Sequence, residues 1–180
     1  MTHTSDTPTV IGQAVTALQA RFGAAIVRVE EFRGETTLVV ERASIVDVLR
    51  HLKETPALGF TFLATLTAFD DWPTEPRFNV IYQLRELTHP TNLRLKVQVP
   101  GDDPVMPTVV GLHLNANWHE REVWDMFGLK FTDHPDLRRI LMPEDWQGHP
   151  LRKDYPLGYE EVQFTFNFDE INQKKPYAKE

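Results

Sequence analysis

Apolar residues recur at helical spacing between residues 10 and 22 and then give way to strand-like patterns. The positions on one helical face are Val10, Ile11, Ala14, Val15, Leu18 and Phe22. Thr7-Pro8 is a start signal and Gly23 a stop signal, so the pattern predicts an amphipathic helix over residues 8–22. Residues 26–32 and 36–41 are rich in β-branched side chains, and the turn between them predicts a hairpin.

A second helix and three more strands follow the hairpin. Ser44 and Asp47 form a capping-box-like start, and the stripe that follows is Ile45, Val48, Leu49 and Leu52. Strands are predicted at residues 60–69, 78–84 and 93–99, and we expect neighbouring strands to run antiparallel. The pattern predicts an α+β fold, a mostly antiparallel sheet of about five strands packed with two to three helices, rather than an alternating doubly wound fold.

The pattern changes after residue 99, where prolines interrupt the chain. Residues 107–114 fit a short strand or a helical turn equally well. We expect a helix that Asn117 caps and Gly128 ends. Five prolines between residues 135 and 176 then predict an extended arm with little regular structure.

The end of the chain has one further strand-like pattern. Phe164, Phe166 and Phe168 alternate with polar residues, as in a strand with one apolar face. Such a strand would either pair with an edge of another protein or fold back onto this domain.

Composition excludes several classes of function. The chain has 180 residues and a net charge of -7, which argues for one compact domain and against a general nucleic-acid binder. Cysteine is absent, which excludes disulfides, a cysteine nucleophile and cysteine-ligated zinc or iron–sulfur sites. Neither a signal peptide nor an apolar run of roughly 18 residues is present, so we expect a cytoplasmic location.

Histidines and carboxylates cluster between residues 113 and 154 without a recognised catalytic spacing. His119-Glu120 begins like an HExxH zinc motif, but Val123 occupies the position of the second histidine. His113, His134 and His149 lack ligand spacing as well.

The carboxylates leave two interpretations open. A paired acid–base site would use Glu120, Glu122, Asp125 or Asp154, and the alternative is a set of salt bridges. No nucleophile elbow or phosphate-binding glycine loop occurs, so independent catalysis or nucleotide binding is not expected.

Residues 112–156 combine balanced charges with large aromatic side chains. Eight acids (Glu120, Glu122, Asp125, Asp133, Asp136, Glu144, Asp145, Asp154) accompany six bases (Arg121, Lys130, Arg138, Arg139, Arg152, Lys153). Near-balance predicts ion-pair networks, and the interleaved Trp118, Trp124, Trp146 and Tyr155 are typical of a protein interface. A solvated polar loop, or aromatic residues that cover the chain's own sheet, is the alternative.

Two motifs within this region resemble a known family. Glu120 to Gly128 reads Glu-Arg-Glu-Val-Trp-Asp-Met-Phe-Gly, and His134 to Leu141 reads His-Pro-Asp-Leu-Arg-Arg-Ile-Leu. They resemble the signature of the thirty-kilodalton subunit of respiratory complex I, which in bacteria is the C subunit of NADH-quinone oxidoreductase. The likeness continues through residues 143–156, and the strands of residues 60–99 look like the family's domain in order and spacing.

The resemblance implies a place in the hydrophilic arm of complex I. Expected partners are other hydrophilic-arm subunits, especially the quinone-site subunit of the forty-nine-kilodalton type and the subunit that bears the terminal cluster. Because the chain stops at Glu180, we expect the quinone-site subunit to be a separate polypeptide. No cofactor is expected on this chain, and the implied FMN, iron–sulfur clusters and quinone belong to other subunits.

The resemblance also implies a division of the chain and a set of architectural residues. Residues 1–128 would form the α+β domain, and residues 129–180 an extended arm that contacts neighbouring subunits. The implied interface or architectural residues are Glu120, Arg121, Glu122, Asp125, His134, Arg138, Arg139, Trp146, Arg152, Lys153 and Asp154. No residue is expected to be catalytic or to bind a cofactor or metal.

Our hypothesis from the sequence is a non-catalytic assembly subunit of a proton-translocating NADH:quinone oxidoreductase. It would support electron transfer from NADH through iron–sulfur clusters to quinone, as a peripheral protein on the cytoplasmic side of the cell membrane that meets the membrane only through the complex. One alternative is the equivalent subunit of a membrane-bound hydrogenase or related dehydrogenase. The others are a freestanding metal-dependent hydrolase that uses residues 113–154 and an adaptor unrelated to respiration.

Overall fold

The computed structural model describes residues 10–155 and residues 166, 169, 170 and 173. In chain order the elements are α1 (Val10–Phe22), β1 (Ile26–Phe32), β2 (Glu35–Val40), α2 (Ile45–Glu54), β3 (Phe62–Asp70), β4 (Phe78–Glu86), β5 (Thr91–Val99), β6 (Val105–Pro107), α3 (Ala116–Phe127) and β7 (Lys130–Thr132). We call residues 133–155 the C-terminal segment, and it contains neither helix nor strand. The predicted terminal strand at Phe164 to Phe168 falls mainly outside the described residues.

Five strands form the main sheet in the order β1-β2-β5-β4-β3. The predicted α+β fold with a mostly antiparallel sheet is confirmed. The expectation that all neighbours run antiparallel is wrong for β2 and β5, which are parallel, with Leu38 opposite Leu95. The chain leaves β2 through α2 and re-enters the sheet at the far edge, so the antiparallel return through β4 brings β5 beside β2 in the same direction.

Alternation along the strands separates the core from the outer face of the sheet. Leu93, Leu95 and Val97 of β5 are fully buried. The residues between them are partly exposed, and Lys96 pairs across strands with Glu30 at 2.7 Å. The predicted stripe of α2 also lies in the core, where Ile45, Val48, Leu49 and Leu52 have no exposed surface.

The hairpin between β1 and β2 turns through two residues in the left-handed backbone conformation. Arg33 and Gly34 have φ angles of 51° and 79°. Two successive residues with positive φ match the twist of the adjoining strands.

Two predicted helix caps are wrong. Ser44 makes no capping hydrogen bond, because a short 3-10 turn runs directly into α2 and gives Ser44 helical backbone angles. Asn117 lies inside α3, which begins at Ala116. Asn115 precedes that helix and donates its side-chain amide to the Leu63 carbonyl at 2.8 Å, which fixes the start of α3 against β3.

Residues 105–132 add a second, smaller sheet that the sequence pattern does not reveal. β6 and β7 pair in parallel, with Met106 opposite Phe131. The undecided residues 107–114 contain the end of β6 and then a turn, in which the Val109 carbonyl accepts from the amides of Leu112 and His113. Within the described part of the chain, no helix has the length and apolar character needed to cross a membrane.

Candidate functional site

α3 and the residue that ends it provide the surface on which the C-terminal segment lies. Gly128 has a φ of 74° and donates its amide to the Trp124 carbonyl at 2.8 Å. The predicted end of this helix is therefore confirmed, with glycine in the left-handed conformation. A Cβ atom at residue 128 would lie 2.5 Å from Cδ2 of His149, so glycine also makes room for the segment.

Asp125 is the centre of the first attachment. Its side chain is fully buried, and Oδ2 accepts the backbone amides of Ile140, Leu141 and Met142 at 3.0, 2.8 and 2.9 Å. Oδ1 accepts from Nη1 of Arg139 at 2.6 Å. Burial opposes ionisation, but these hydrogen bonds prevail and lower the pKa of Asp125.

Two arginines complete this attachment from opposite sides. Arg121, on α3, donates to the carbonyls of Arg138 and Arg139, both at 3.1 Å. Arg139 in turn donates to the carbonyls of Trp146 and Gly148 at 2.8 and 3.1 Å. The guanidinium forks therefore hold the backbone of the segment, which fixes its path on α3.

A second attachment lies where β3 ends and β4 begins. Arg77 contacts Asp70 through two hydrogen bonds of 2.9 and 2.7 Å, and Asp154 through two more of 2.9 and 2.7 Å. The Lys153 amide donates to Asp70 at 2.8 Å. Burial works against the Asp70 carboxylate, but the hydrogen bonds from Arg77 and from backbone amides lower its pKa to about 2.

Arg152 links the two attachments. Its Nε donates to the Phe127 carbonyl at 2.6 Å, and its guanidinium lies 5.3 Å from the centre of the Phe78 ring. Burial, and then the neighbouring Arg77, lower the pKa of Arg152. The preceding residue is also bound to the end of α3, since the Leu151 amide donates to the Met126 carbonyl at 3.0 Å.

Glu120 and His134 form a buried pair beneath the start of the segment. Glu120 accepts from the Thr108 hydroxyl at 2.6 Å and from the Val109 amide at 2.7 Å. Nε2 of His134 lies 3.8 Å from Oε2 of Glu120, and both side chains are fully buried. Burial raises the pKa of Glu120 to about 7 although the two hydrogen bonds oppose that shift.

The structure separates the remaining candidates. Glu122 and Lys153 are exposed, and Arg138 pairs with Asp136 at the surface at 2.7 Å. Trp146 is half-buried, and its indole nitrogen has no hydrogen-bond partner among the described residues. Within that part of the chain, no group of three or more histidine and carboxylate side chains is placed to hold a metal ion.

Sequence reasoning missed Asp70 and Arg77, the buried half of the second attachment. Neither lies in the charged region of residues 112–156, and Arg77 and Asp154 are 77 positions apart. The strand pattern contained a signal, because antiparallel pairing of β3 and β4 places Asp70 opposite Phe78, next to Arg77.

The C-terminal segment and the neighbouring helix α3 expose large apolar side chains to solvent. Trp118 is 59% exposed, Leu141 61% and Leu151 55%. The Trp118 ring lies 5.2 Å from the guanidinium of Arg121. A tryptophan beside an arginine at an ordered surface is the combination that protein interfaces favour.

Comparison with known proteins identifies the family. The family described as "Respiratory-chain NADH dehydrogenase, 30 Kd subunit" matches residues 38–161, which include both attachments. This chain belongs to that family. The match confirms the resemblance to the thirty-kilodalton subunit of complex I that the two motifs carry.

Curated relatives span most of the chain. It is 52% identical over 163 residues to the NADH-quinone oxidoreductase C subunit of Roseiflexus sp., covering 91% of this chain and 94% of that protein. The protein of the same name from Geobacter sulfurreducens is 49% identical over 146 residues, covering 81% and 89% of the two chains.

Solved structures share the fold. A trypsin-resistant fragment (1-134) of Nqo5 is 32% identical, with a TM-score of 0.62, covering 71% of this chain and 99% of the fragment. A chain of the membrane-bound sulfane sulfur reductase, an archaeal respiratory membrane complex, is 23% identical, with a TM-score of 0.70 and coverage of 93% and 95%. The second likeness concerns the fold alone.

Proposed function

We propose that this chain is a non-catalytic structural subunit that holds neighbouring subunits of a proton-translocating NADH:quinone oxidoreductase in position. It would support electron transfer from NADH through iron–sulfur clusters to quinone without contributing a reacting group. Its contribution is geometric, since electron transfer and quinone access depend on how the cofactor-bearing subunits are placed. A pre-ordered binding surface lowers the conformational entropy lost on assembly.

The observation that carries the proposal is the attachment at Asp125. A fully buried carboxylate accepts three consecutive backbone amides and one arginine, so its hydrogen bonds serve to order a segment without regular structure. The same segment presents Leu141 and Leu151 to solvent. Rigid backbone support beneath exposed apolar side chains is what a binding surface requires.

We propose the quinone-site subunit of the forty-nine-kilodalton type and the terminal-cluster subunit as the partners of this surface. FMN, the iron–sulfur clusters and quinone would then reside on other subunits, and residues 129–180 would be the arm that reaches them. The complex would place the chain on the cytoplasmic side of the cell membrane, in contact with the membrane only through its partners.

Assembly of an Asp125→Asn variant tests the proposal. An amide has one acceptor oxygen and adds a donor beside Arg139, so the segment should lose its fixed path. We expect several-fold less of the variant in the complex purified from solubilised membranes, measured as chain per complex, while the monomer retains its sheet. The co-purifying subunits also identify the electron donor, NADH or hydrogen.

Asp136→Asn is the matched control, because Asp136 lies in the same segment and pairs with Arg138 only at the surface. Its incorporation should equal that of the wild type. Normal incorporation of a monomer that has lost the Asp125 attachment would contradict the proposal.

A further inference from the structure

Glu120 differs in its contacts from Asp125 and Asp70, the buried carboxylates of the two attachments. Its side chain is fully buried on α3. The described residues supply two hydrogen-bond donors, the Thr108 hydroxyl and the Val109 amide, and no lysine or arginine pairs with it. Asp125 and Asp70, by contrast, each contact a guanidinium.

His134 is the ionisable side chain that pairs with Glu120, at 3.8 Å, and its own contacts keep it neutral. Nδ1 accepts the amide of Asp136 at 3.0 Å, so the neutral ring carries its hydrogen on Nε2, which faces Glu120. A second proton on Nδ1 would break the bond to Asp136. Burial lowers the pKa of His134, and Arg121 acts in the same direction.

In the described part of the chain, no lysine or arginine of another element forms an ion pair with Glu120. On β4, Tyr82 is fully buried, and its hydroxyl has no partner among the described residues. Burial and the nearby Glu120 both raise the pKa of Tyr82, so it remains a neutral phenol. After β6, His113 is buried near Lys53 of α2, and burial followed by that lysine lowers its pKa to about 4.

We propose that Glu120 is a pH-sensitive contact: as a neutral acid it keeps the turn after β6 and the start of the C-terminal segment closed over α3, and on ionisation it loosens both. An uncompensated carboxylate at this position requires water. We expect His134 to move to admit that water, since among the described residues its ring makes hydrogen bonds with the Asn117 carbonyl at 3.4 Å and the Asp136 amide. This inference stands independently of the proposed function.

The sign of the effect follows from the raised pKa of Glu120. The ordinary value is 4.5 and the folded value about 7, so the folded protein holds a proton that the unfolded chain has lost between these pH values. The contribution of Glu120 to the free energy of unfolding is fully present below pH 4.5 and declines as the pH rises to about 7. Four histidines with lowered pKa values, namely His51, His113, His134 and His149, act in the opposite direction.

The test therefore compares the wild-type chain with Glu120→Gln at each pH. We take the unfolding equilibrium constant of the wild type divided by that of Glu120→Gln, because the contribution of the histidines is the same in both and cancels. This ratio should rise about tenfold per pH unit between pH 5 and about 7, and then level off. Glu122→Gln, an exposed neighbour on the same helix, should show no such rise. A flat ratio for Glu120→Gln would overturn the inference.

Amide hydrogen exchange locates the loosening. At pH 8, the amides of Val109 and Asp136 should exchange at least several-fold faster in the wild type than in Glu120→Gln, and the difference between the two proteins should be much smaller at pH 5.5. Equal rates at pH 8 would overturn the inference even if global stability changes.

A measurement without substitution covers the case in which Glu120→Gln does not fold. The side-chain carboxyl carbon of Glu120 in the wild-type chain, followed by NMR, should titrate with a midpoint near pH 7. A midpoint below pH 5 would overturn the inference.

Discussion

At the scale of single residues, similar side chains have different tasks because of the backbone groups that they meet. Arg138 and Arg139 are adjacent and identical in chemistry. The first pairs with Asp136 at the surface, and the second joins Asp125 to the carbonyls of Trp146 and Gly148. Exposed ion pairs contribute at most about 1 kcal/mol, whereas loss of one partner from a buried pair costs about 3–5 kcal/mol.

Gly128→Ala should destabilise the protein through both of the constraints at this position. The left-handed backbone costs a non-glycine residue about 1–2 kcal/mol. In addition, His149 must move away from the new Cβ atom. The free energy of unfolding, measured with urea, should fall by at least about 1 kcal/mol.

Gly111→Ala is the control for this substitution. Gly111 is exposed, and a Cβ atom there meets nothing within 4 Å. This substitution should change the free energy of unfolding by no more than about 0.5 kcal/mol. An equal loss at both positions would contradict the role given to Gly128.

The sequence predicted which residues carry charge in this region but not which of them are buried. The motif of α3 includes Glu120, Glu122 and Asp125 without distinguishing them. Only the rotation of the helix and the path of residues 133–149 decide that Glu120 and Asp125 are covered while Glu122 remains in solvent. Such tertiary information is not present in local spacing.

At the scale of elements, the C-terminal segment is attached at two separate places. One lies along α3, and the other joins the end of β3 to the start of β4 through Asp70 and Arg77. Their chemistry differs, because the first depends mainly on backbone amides and the second on a guanidinium shared by two carboxylates. They should therefore respond differently to acid.

Asp70 should contribute to acid sensitivity. Its ordinary pKa is 3.8 and its folded pKa about 2, so its stabilisation is present above pH 3.8 and is lost as the pH falls to about 2. That shift corresponds to about 2 kcal/mol. Urea unfolding of the wild type and Asp70→Asn between pH 5 and pH 2 should show a difference that shrinks by this amount.

Asp154→Asn serves as the comparison for Asp70. The Asp154 side chain is 44% exposed and that of Asp70 1%, although both contact Arg77. Water screens the exposed pair of Asp154 and Arg77, so Asp154→Asn should lower the free energy of unfolding clearly less than Asp70→Asn does. A larger effect at Asp154 than at Asp70 would mean that burial does not decide the strength of this site.

Elements with strong hydrophobic periodicity were predicted well from the sequence, whereas the pairing of strands that lie far apart in the chain was not. The stripe of α2 and the strands of the sheet follow from local patterns. The parallel pairing of β2 with β5, and of β6 with β7, joins residues far apart in the chain. The predicted cap at Ser44 was wrong because the preceding turn already gives Ser44 helical backbone angles.

At the scale of the whole molecule, a compact α+β domain carries a segment that has no core of its own. Residues 133–155 depend on the domain for their order through Asp125, Arg121, Asp70 and Arg77. Within residues 10–155, every helix and strand lies before this segment.

Limited trypsin digestion of the full chain tests this division. The first cuts should follow exposed basic residues beyond the domain, such as Arg138 and Lys153, and should leave a resistant fragment that contains the sheet. Mass spectrometry of the fragments identifies the sites. Asp125→Asn should accelerate the cut at Arg138, because local release of the segment precedes cleavage.

Equally early cuts after Arg85 or Arg94, in the central strands, would contradict the division. Asp136→Asn again serves as the control, since it removes a carboxylate from the segment without freeing its backbone. Its cleavage rate at Arg138 should stay closer to that of the wild type than the rate of Asp125→Asn.

The three amides held by Asp125 have a consequence for the variation that this molecule can accept. Main-chain N–H groups are the same in every residue except proline, so the identities of Ile140, Leu141 and Met142 are unconstrained by this contact. Chain length is constrained instead, since one residue gained or lost between β7 and Ile140 would offer Asp125 a different trio. The exposed side chain of this trio, that of Leu141, is thus free to vary, provided that the number of residues leading to it does not change.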